Sequence, residues 1–367
     1  MKVRADEIRD NVLLALWQLL GVGLLIGALT FALPAAASAA SPQSNGVITV
    51  VPNTMTASDG AVQTVYSLPD SETIQDVTPP SGFSPLSASN SQLEDYGFPA
   101  RPSGGEALAG WDQAMLDYRS DAPPTGSLQV DTVPDIADQQ GVIYGNWAGF
   151  YAGEGNSQSD TFIAAEATTT VPSADGCAAN GWPLSAWIGL GGTSQGNNLV
   201  QEGEICGDSA VSSGDGFRPF QEFAPTNNPV PMCGYSSWVF GVGDTLYQQM
   251  SYETGSNLAN FYIEDENTGV AHGCAISAPL SRGWQFDGNT GDYVVETSAG
   301  VTVPFSTINF ANALIEFGSD GSWVSFGSRP TTKMYDGYGP SNYCAGPSSI
   351  GSDQQSFSVS YNGGSCY

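Results

Sequence analysis

The chain is rich in carboxylates and amides but poor in the other side chains that hydrolases use. It has one histidine, His272, and six cysteines without a C-x-x-C pair. Zinc and iron–sulfur sites need clustered thiolate or imidazole ligands, so we expect no metal and no cofactor. A serine nucleophile would need His272 as its base, and this residue follows an Asn-Thr-Gly turn, where we expect a surface position. What remains is a carboxylate as general base and acid, with an amide as oxyanion donor.

Three segments place such side chains at defined spacings. Segment 186–192 (AWIGLGG) carries Trp187, and segment 199–203 (LVQEG) places Gln201 fourteen residues later. Segment 292–296 (DYVVE) ends in Glu296. Further short blocks follow the same order along the chain: GNWAG at 145–149, TVPS at 170–173, FQEFAP at 220–225, GD at 243–244, ENTG at 266–269 and VPF at 303–305.

Together these blocks resemble the glutamic peptidases, the eqolisin family, over about residues 145–320. The resemblance implies a peptide hydrolase with Gln201 and Glu296 as the catalytic pair and Trp187 and Glu222 as substrate-binding residues. It implies that Glu296 activates water and later protonates the leaving nitrogen, while Gln201 stabilises the oxyanion. The substrate would be an unfolded or extended polypeptide. The residues alone leave open that Trp187 is a core residue and that Glu222 faces solvent from a strand.

The chain departs from the family pattern at several positions. Gly191 and Arg218 stand where the family often has acidic residues. The positions of a common family disulfide fall near Gln195 and Asp287, and neither is a cysteine. These departures concern substrate preference and acid adaptation, because the catalytic pair itself is present.

The elements that must position these residues are predicted to be strands. From residue 141 onward, short apolar or alternating runs are separated by Gly, Asn and Asp turns, which favours an all-β antiparallel β-sandwich. The resemblance adds that the sheets are strongly curved and concanavalin-like. A hairpin turn is predicted at residues 267–269. Predicted strands are 186–190, 199–205, 236–242, 245–252, 260–264, 293–297 and 314–317.

The N-terminal part predicts an exported protein with three regions. Residues 12–33 are apolar and residues 37–39 form an A-x-A site, so residues 1–39 are predicted to be a secretory signal peptide. An uncleaved membrane anchor is the alternative. Residues 40–140 lack cysteine and are rich in Ser, Pro, Asp and Thr, which predicts a propeptide or leader of low structure with one short helix at 105–118. Residues 141–367 are the predicted peptidase domain, and the mature start of this zymogen is expected between residues 121 and 145.

Charge and cysteine content narrow the function further. The net charge of -28, from 37 acidic and 9 basic residues, repels phosphate backbones and excludes nucleic acid as a partner. It fits a secreted protein that works in acid, although halophilic or solubilising acidity gives the same sign. Export favours disulfides, with 177–206, 233–274 and 344–366 as the predicted pairs. We expect a monomer.

A non-catalytic function is the alternative to the peptidase. β-Sandwich modules on cell surfaces also bind carbohydrate or mediate adhesion. Exposed aromatic residues would then stack on sugars, and the candidates are Trp182, Trp238 and Trp284.

Overall fold

Strands dominate the part of the chain that the structure describes. The computed structural model describes residues 47–68, 73–119, 121–125, 127–131, 144–153, 161–174, 177, 183–193, 198–208, 211, 216–297, 303–318, 321–339 and 342–363. The predicted signal peptide lies outside these residues. All of the described residues belong to one compact unit, residues 45–367.

The elements have the following bounds. The N-terminal ones are β1 (Val47–Val50), β2 (Asn53–Thr56), β3 (Val62–Ser67), β4 (Thr73–Thr78), α1 (Asn90–Asp95), α2 (Gly105–Asp117) and β5 (Leu128–Asp131). Then come β6 (Tyr144–Gly145), β7 (Trp147–Ala152), β8 (Phe162–Thr170), β9 (Leu184–Gly191), β10 (Leu199–Cys206), β11 (Arg218–Ala224) and β12 (Val230–Pro231). The chain continues with β13 (Thr245–Glu253), β14 (Leu258–Asp265), β15 (Val270–Ser277), β16 (Gly291–Thr297), β17 (Ile308–Phe317), β18 (Trp323–Ser325), β19 (Thr331–Gly339), β20 (Asn342–Pro347) and β21 (Phe357–Tyr361).

Most strands form two antiparallel sheets. The front sheet has the order β12–β11–β10–β9–β16–β7 and ends on the first half of β19. The back sheet runs β2–β3–β4–β15–β14–β13–β8–β17–β21–β20 and ends on the second half of β19. β19 therefore joins the two sheets, while β1 and β5 form a separate pair.

The two sheets enclose the main core, which confirms the predicted β-sandwich. Ile188 and Val295 point inward from the front sheet, and Met250, Ile263 and Phe310 from the back sheet. All are buried. On strands of the front sheet every second residue faces this core, so the intervening residues form the outer face of that sheet.

Strand prediction succeeded where alternation was clear and failed at one short apolar run. The hairpin at residues 267–269 is confirmed, because β14 and β15 pair with Asp265 opposite Val270 and Gly269 donates its N–H to the Asp265 carbonyl at 2.7 Å. Residues 236–242, in contrast, form no strand. Only Phe240 makes an isolated bridge there, and Asp244 accepts the Gly241 N–H at 2.6 Å to close a turn.

The predicted leader is more structured than its composition indicated. In what we call the N-terminal segment, residues 53–119, strands β2–β4 extend the edge of the back sheet, where β4 pairs with β15. The predicted short helix is confirmed as α2. Trp111 of α2 and Leu93 of α1 are buried against Tyr247 and Tyr262 on the outer face of the back sheet. A few apolar residues are thus enough to fold this otherwise polar segment, because they pack on the outer face of the back sheet.

His272 is buried rather than at the surface. Its side chain stacks on Tyr235 with ring centroids 3.3 Å apart, and its Nε2 lies 3.7 Å from Asp121 Oδ2. Burial lowers the pKa of His272. The turn before it is exposed, but the alternation of β15 directs the imidazole into the sandwich.

Two of the predicted disulfides are confirmed. Cys177 is bonded to Cys206 and Cys233 to Cys274. Cys344 is also disulfide-bonded, and its predicted partner Cys366 lies outside the described residues. Within the described ranges, no helix is both long and apolar enough to cross a membrane. Over the same ranges, no group of three or more acidic, histidine or cysteine side chains is placed to hold a metal ion.

Candidate active site

The four residues singled out in the sequence lie on one face of the front sheet. Gln201 on β10 is directly opposite Glu222 on β11, and Trp187 on β9 is directly opposite Val294 on β16. Opposite residues share a face and every second residue along a strand returns to it. Glu296, two residues after Val294, therefore shares the outer face with the other three.

Glu296 is held by two neutral donors. The Asn146 side chain donates from Nδ2 to Glu296 Oε1 at 2.8 Å, and the Trp187 indole donates from Nε1 to Oε2 at 3.0 Å. Trp187 is fully buried, and the edge of Trp147 packs against it with ring centroids 5.0 Å apart. Each carboxylate oxygen thus has its own N–H donor, which fixes the plane of the carboxyl group.

Gln201 is held from the opposite side. Its Nε2 donates to Glu222 Oε2 at 2.6 Å, a charge-assisted bond when Glu222 is ionised. Its Oε1 is buried and has no hydrogen-bond partner among the described residues. Buried polar atoms are usually satisfied by protein or by water. The open acceptor, together with the second hydrogen of Nε2, leaves the Gln201 amide with capacity for a water molecule or a substrate.

Glycines make room for Trp187 between Gln201 and Glu296. Gly189 lies directly opposite Gln201 on β9, and a Cβ there would come within 3.0 Å of Trp187 Cζ3. A Cβ on Gly203, opposite Trp187, would lie 2.7 Å from the tryptophan Cβ. The indole therefore lies over the backbone beside Gln201 while its N–H reaches Glu296. Trp187 is thus a buried residue that also contacts Glu296.

Much of this face is apolar. Around Trp187 pack a set of buried side chains from β10, β11, β16 and β19 and from residue 211, with Trp147 and Tyr151 half-buried at the margin. The set comprises Leu199, Ile205, Val211, Phe220, Ala224, Val294 and Met334. Each of these side chains is at most 5% exposed, so they form a packed apolar surround for the polar groups of the face.

The departures from the family pattern have structural reasons. Gly191 has φ +93°, and a Cβ there would lie 2.4 Å from the Asn198 carbonyl oxygen, so no acidic side chain fits. Arg218 donates from Nη1 to the Ser236 carbonyl at 2.6 Å, so it fastens the neighbouring loop to the end of β11. Position 195 lies outside the described residues.

Sequence reasoning assigned no role to Asn146, although the residue stands in the block at 145–149. The signal that could have found it is the amide directly before Trp147, whose strand pairs with the strand of Glu296. Of the three tryptophans proposed to stack on sugars, Trp284 cannot do so. It is 1% exposed and donates Nε1 to the Ala224 carbonyl at 3.1 Å.

The fold and these side chains define a β-sandwich protein with the groups of an acid–base hydrolase on one sheet face. The sequence profile of the peptidase A4 family matches residues 145–354, more than half of the 367 residues. The chain therefore belongs to the peptidase A4 family and is a peptide hydrolase.

Solved structures similar to the chain include two glutamic peptidases. Scytalido-glutamic peptidase with a transition state analog inhibitor is 18% identical, with a TM-score of 0.46 over 59% of this chain and 98% of that chain. SCP-B, an eqolisin in complex with the tripeptide Ala-Ile-His, is 20% identical, with a TM-score of 0.43 over the same shares. Arcelin-5, a lectin-like defense protein from Phaseolus vulgaris, is 10% identical, with a TM-score of 0.24 over 75% of this chain and 94% of that chain. No curated protein matches the chain.

Proposed function

We propose that the chain is a secreted endopeptidase that works in acid and uses Glu296 and Gln201 as its catalytic pair. The observation that carries the proposal is the fixed carboxylate of Glu296, which shares a sheet face with a glutamine whose buried Oε1 has no partner among the described residues. A general base needs a defined orientation, and a water molecule needs a polar partner in an apolar site.

The reaction follows from the two side chains. Glu296 takes a proton from a water molecule while the water oxygen attacks the scissile carbonyl carbon. The carbonyl oxygen becomes an oxyanion and accepts a hydrogen bond from Gln201 Nε2. Glu296 then returns the proton to the leaving nitrogen as the carbon–nitrogen bond breaks.

Glu222 and Trp187 orient this pair. One hydrogen of Gln201 Nε2 is engaged by Glu222, so the amide plane is fixed and the second hydrogen can serve the oxyanion. An amide does not titrate, so this donor stays intact at any acidic pH. Trp187 fixes Glu296 through its indole N–H, with the ring buried beneath the pair.

The substrate class follows from the position of the pair on a sheet face. An extended polypeptide can bring a free peptide bond to Glu296 and Gln201, whereas a folded domain keeps its main-chain groups in its own hydrogen bonds. Export through residues 1–39 and a monomeric state complete the proposal, with the many acidic residues suited to an acidic medium.

Digestion of an unfolded protein between pH 2 and pH 7, with and without pepstatin, tests the proposal. Mass spectrometry should show internal cleavage in acid. Pepstatin should have no effect, because its hydroxyl binds between two aspartates of D-[ST]-G loops and the sequence contains no such tripeptide. Absence of cleavage at every pH, or full inhibition by pepstatin, would contradict it.

A further inference from the structure

Asn146 contacts the proposed catalytic pair, yet neither the sequence nor the proposed mechanism gives it a role. Its Nδ2 donates to Glu296 Oε1 at 2.8 Å. The donor is an amide, so it can give a hydrogen bond but cannot take up a proton in acid. Such a bond favours the ionised carboxylate over the neutral acid.

The backbone fixes Asn146 next to Glu296. Asn146 lies between β6 and β7, and its carbonyl accepts the N–H of Thr297 at 3.0 Å. The next residue, Trp147, is directly opposite Glu296 across the β7–β16 pair. Main-chain contacts of residues 146 and 147 therefore hold the Asn146 amide beside the Glu296 carboxylate. The contact does not depend on a long mobile side chain.

Of the titratable groups around Glu296, Glu222 works against its ionisation. On its own strand Asp292 shares the face, but burial raises the pKa of Asp292, so it is neutral in acid. On β19, Asp336 accepts the hydroxyl of Thr297, which faces away from Glu296, at 2.9 Å, and Lys333 lies over the inward-facing ring of Phe150. Across the sheet Glu222 shares the face with Glu296, and an ionised Glu222 disfavours a further negative charge. Neutral donors such as Asn146 counter this effect.

We propose that Asn146 is a positioning residue that keeps Glu296 ionised and correctly oriented in acid, and thereby sets how far activity extends to low pH. The inference rests on the proposed role of Glu296 as general base. Asn146 is a better probe than Trp187, because it is half-buried and its loss leaves no large cavity, whereas Trp187 is fully buried.

The test is the pH dependence of kcat/KM for Asn146→Ala and Asn146→Leu in the full chain, the second variant keeping the branched side-chain shape without a hydrogen-bond donor. A hydrogen bond to a charged group corresponds to a displacement of about one to two pH units. The pH of half-maximal activity on the acid side should therefore rise by about that amount. At the wild-type midpoint, activity should fall about five- to fiftyfold, with a much smaller loss at the optimum.

Asn260→Ala is the matched control. Asn260 also donates Nδ2 to a glutamate, Glu253 Oε1, at 3.0 Å, but on the back sheet. Its substitution should leave the pH profile in place. The inference is overturned if both Asn146 variants fold and lose activity by the same factor at every pH, or lose none. If Glu296→Gln is inactive, that result removes only the role of Asn146 and the proposed function stands. If Glu296→Gln is active, both the role of Asn146 and the proposed function are removed.

Discussion

Glu204 is on the same strand as Gln201 but points the opposite way, into the core between the sheets. It is fully buried, and its partners are neutral: Gln248 donates Nε2 at 2.8 Å and Thr169 donates its hydroxyl at 3.3 Å. Burial without a cationic partner among these contacts raises the pKa of Glu204 to about 8. The folded protein therefore holds a proton here that the unfolded chain releases above its ordinary pKa of 4.5.

This difference makes stability depend on pH. Because the folded-state pKa is raised, the contribution is fully present below pH 4.5 and is lost as the pH rises through 8. Between pH 4.5 and pH 7, at about 1.36 kcal/mol per pH unit, Glu204 alone would lower the free energy of unfolding by about 3 kcal/mol. Burial also raises the pKa of Asp76 and Glu166 to about 8, so these groups act in the same direction.

Urea unfolding of wild type and Glu204→Gln at pH 4 and pH 7 measures this effect. The glutamine keeps an oxygen for Gln248 and offers an N–H to the Thr169 hydroxyl, so the core stays satisfied. The wild type should be less stable at pH 7 than at pH 4, and the variant should narrow that gap by about 3 kcal/mol. Glu94→Gln, at an exposed position of α1, should leave the gap unchanged. A wild type equally stable at both pH values, or a variant with an unchanged gap, would refute the reasoning.

Three further predictions concern the site, the N-terminal segment and the disulfides. Gln201→Ala should lower kcat on the order of 10²-fold with little change in unfolding midpoint, as removal of one oxyanion donor does; a normal kcat would contradict this. Removal of residues 53–119 should lower the unfolding midpoint, because this segment packs on the back sheet; an unchanged midpoint would contradict this. The double change Cys233→Ser and Cys274→Ser should lower the free energy of unfolding by about 2–4 kcal/mol in calorimetry, and an unchanged stability would show that the crosslink is dispensable.

The strands of the front sheet could be predicted because the patterns that indicate them lie within short stretches of sequence. Strands β9, β10 and β16 are short apolar or mixed runs between turn residues, and the spacing of Trp187, Gln201 and Glu296 within them matched a known pattern. Once the strands pair in register, alternation alone brings these side chains to one face. The hairpin between β14 and β15 was predictable for the same reason, since its turn residues are adjacent in sequence.

Other features depend on contacts distant in sequence. The N-terminal segment appeared loosely packed because its few apolar residues, such as Trp111, find their partners only on the back sheet. His272 was expected at the surface because the turn before it is polar, while its neighbour Tyr235 comes from another part of the chain. Asn146 gained its role only through the pairing of β7 with β16. Such pairings cannot be inferred from periodicity.

The exchange of Glu296 for glutamine tests the central claim most directly. Glu296→Gln keeps the side-chain shape and removes only the ionisable base, so hydrolysis of an unfolded protein in acid should fall to background while the unfolding midpoint stays near that of wild type. The matched control is Glu316→Gln, a half-buried glutamate on β17 of the back sheet, which should retain its activity. A folded Glu296→Gln protein that still cleaves at a substantial fraction of the wild-type rate would contradict the account.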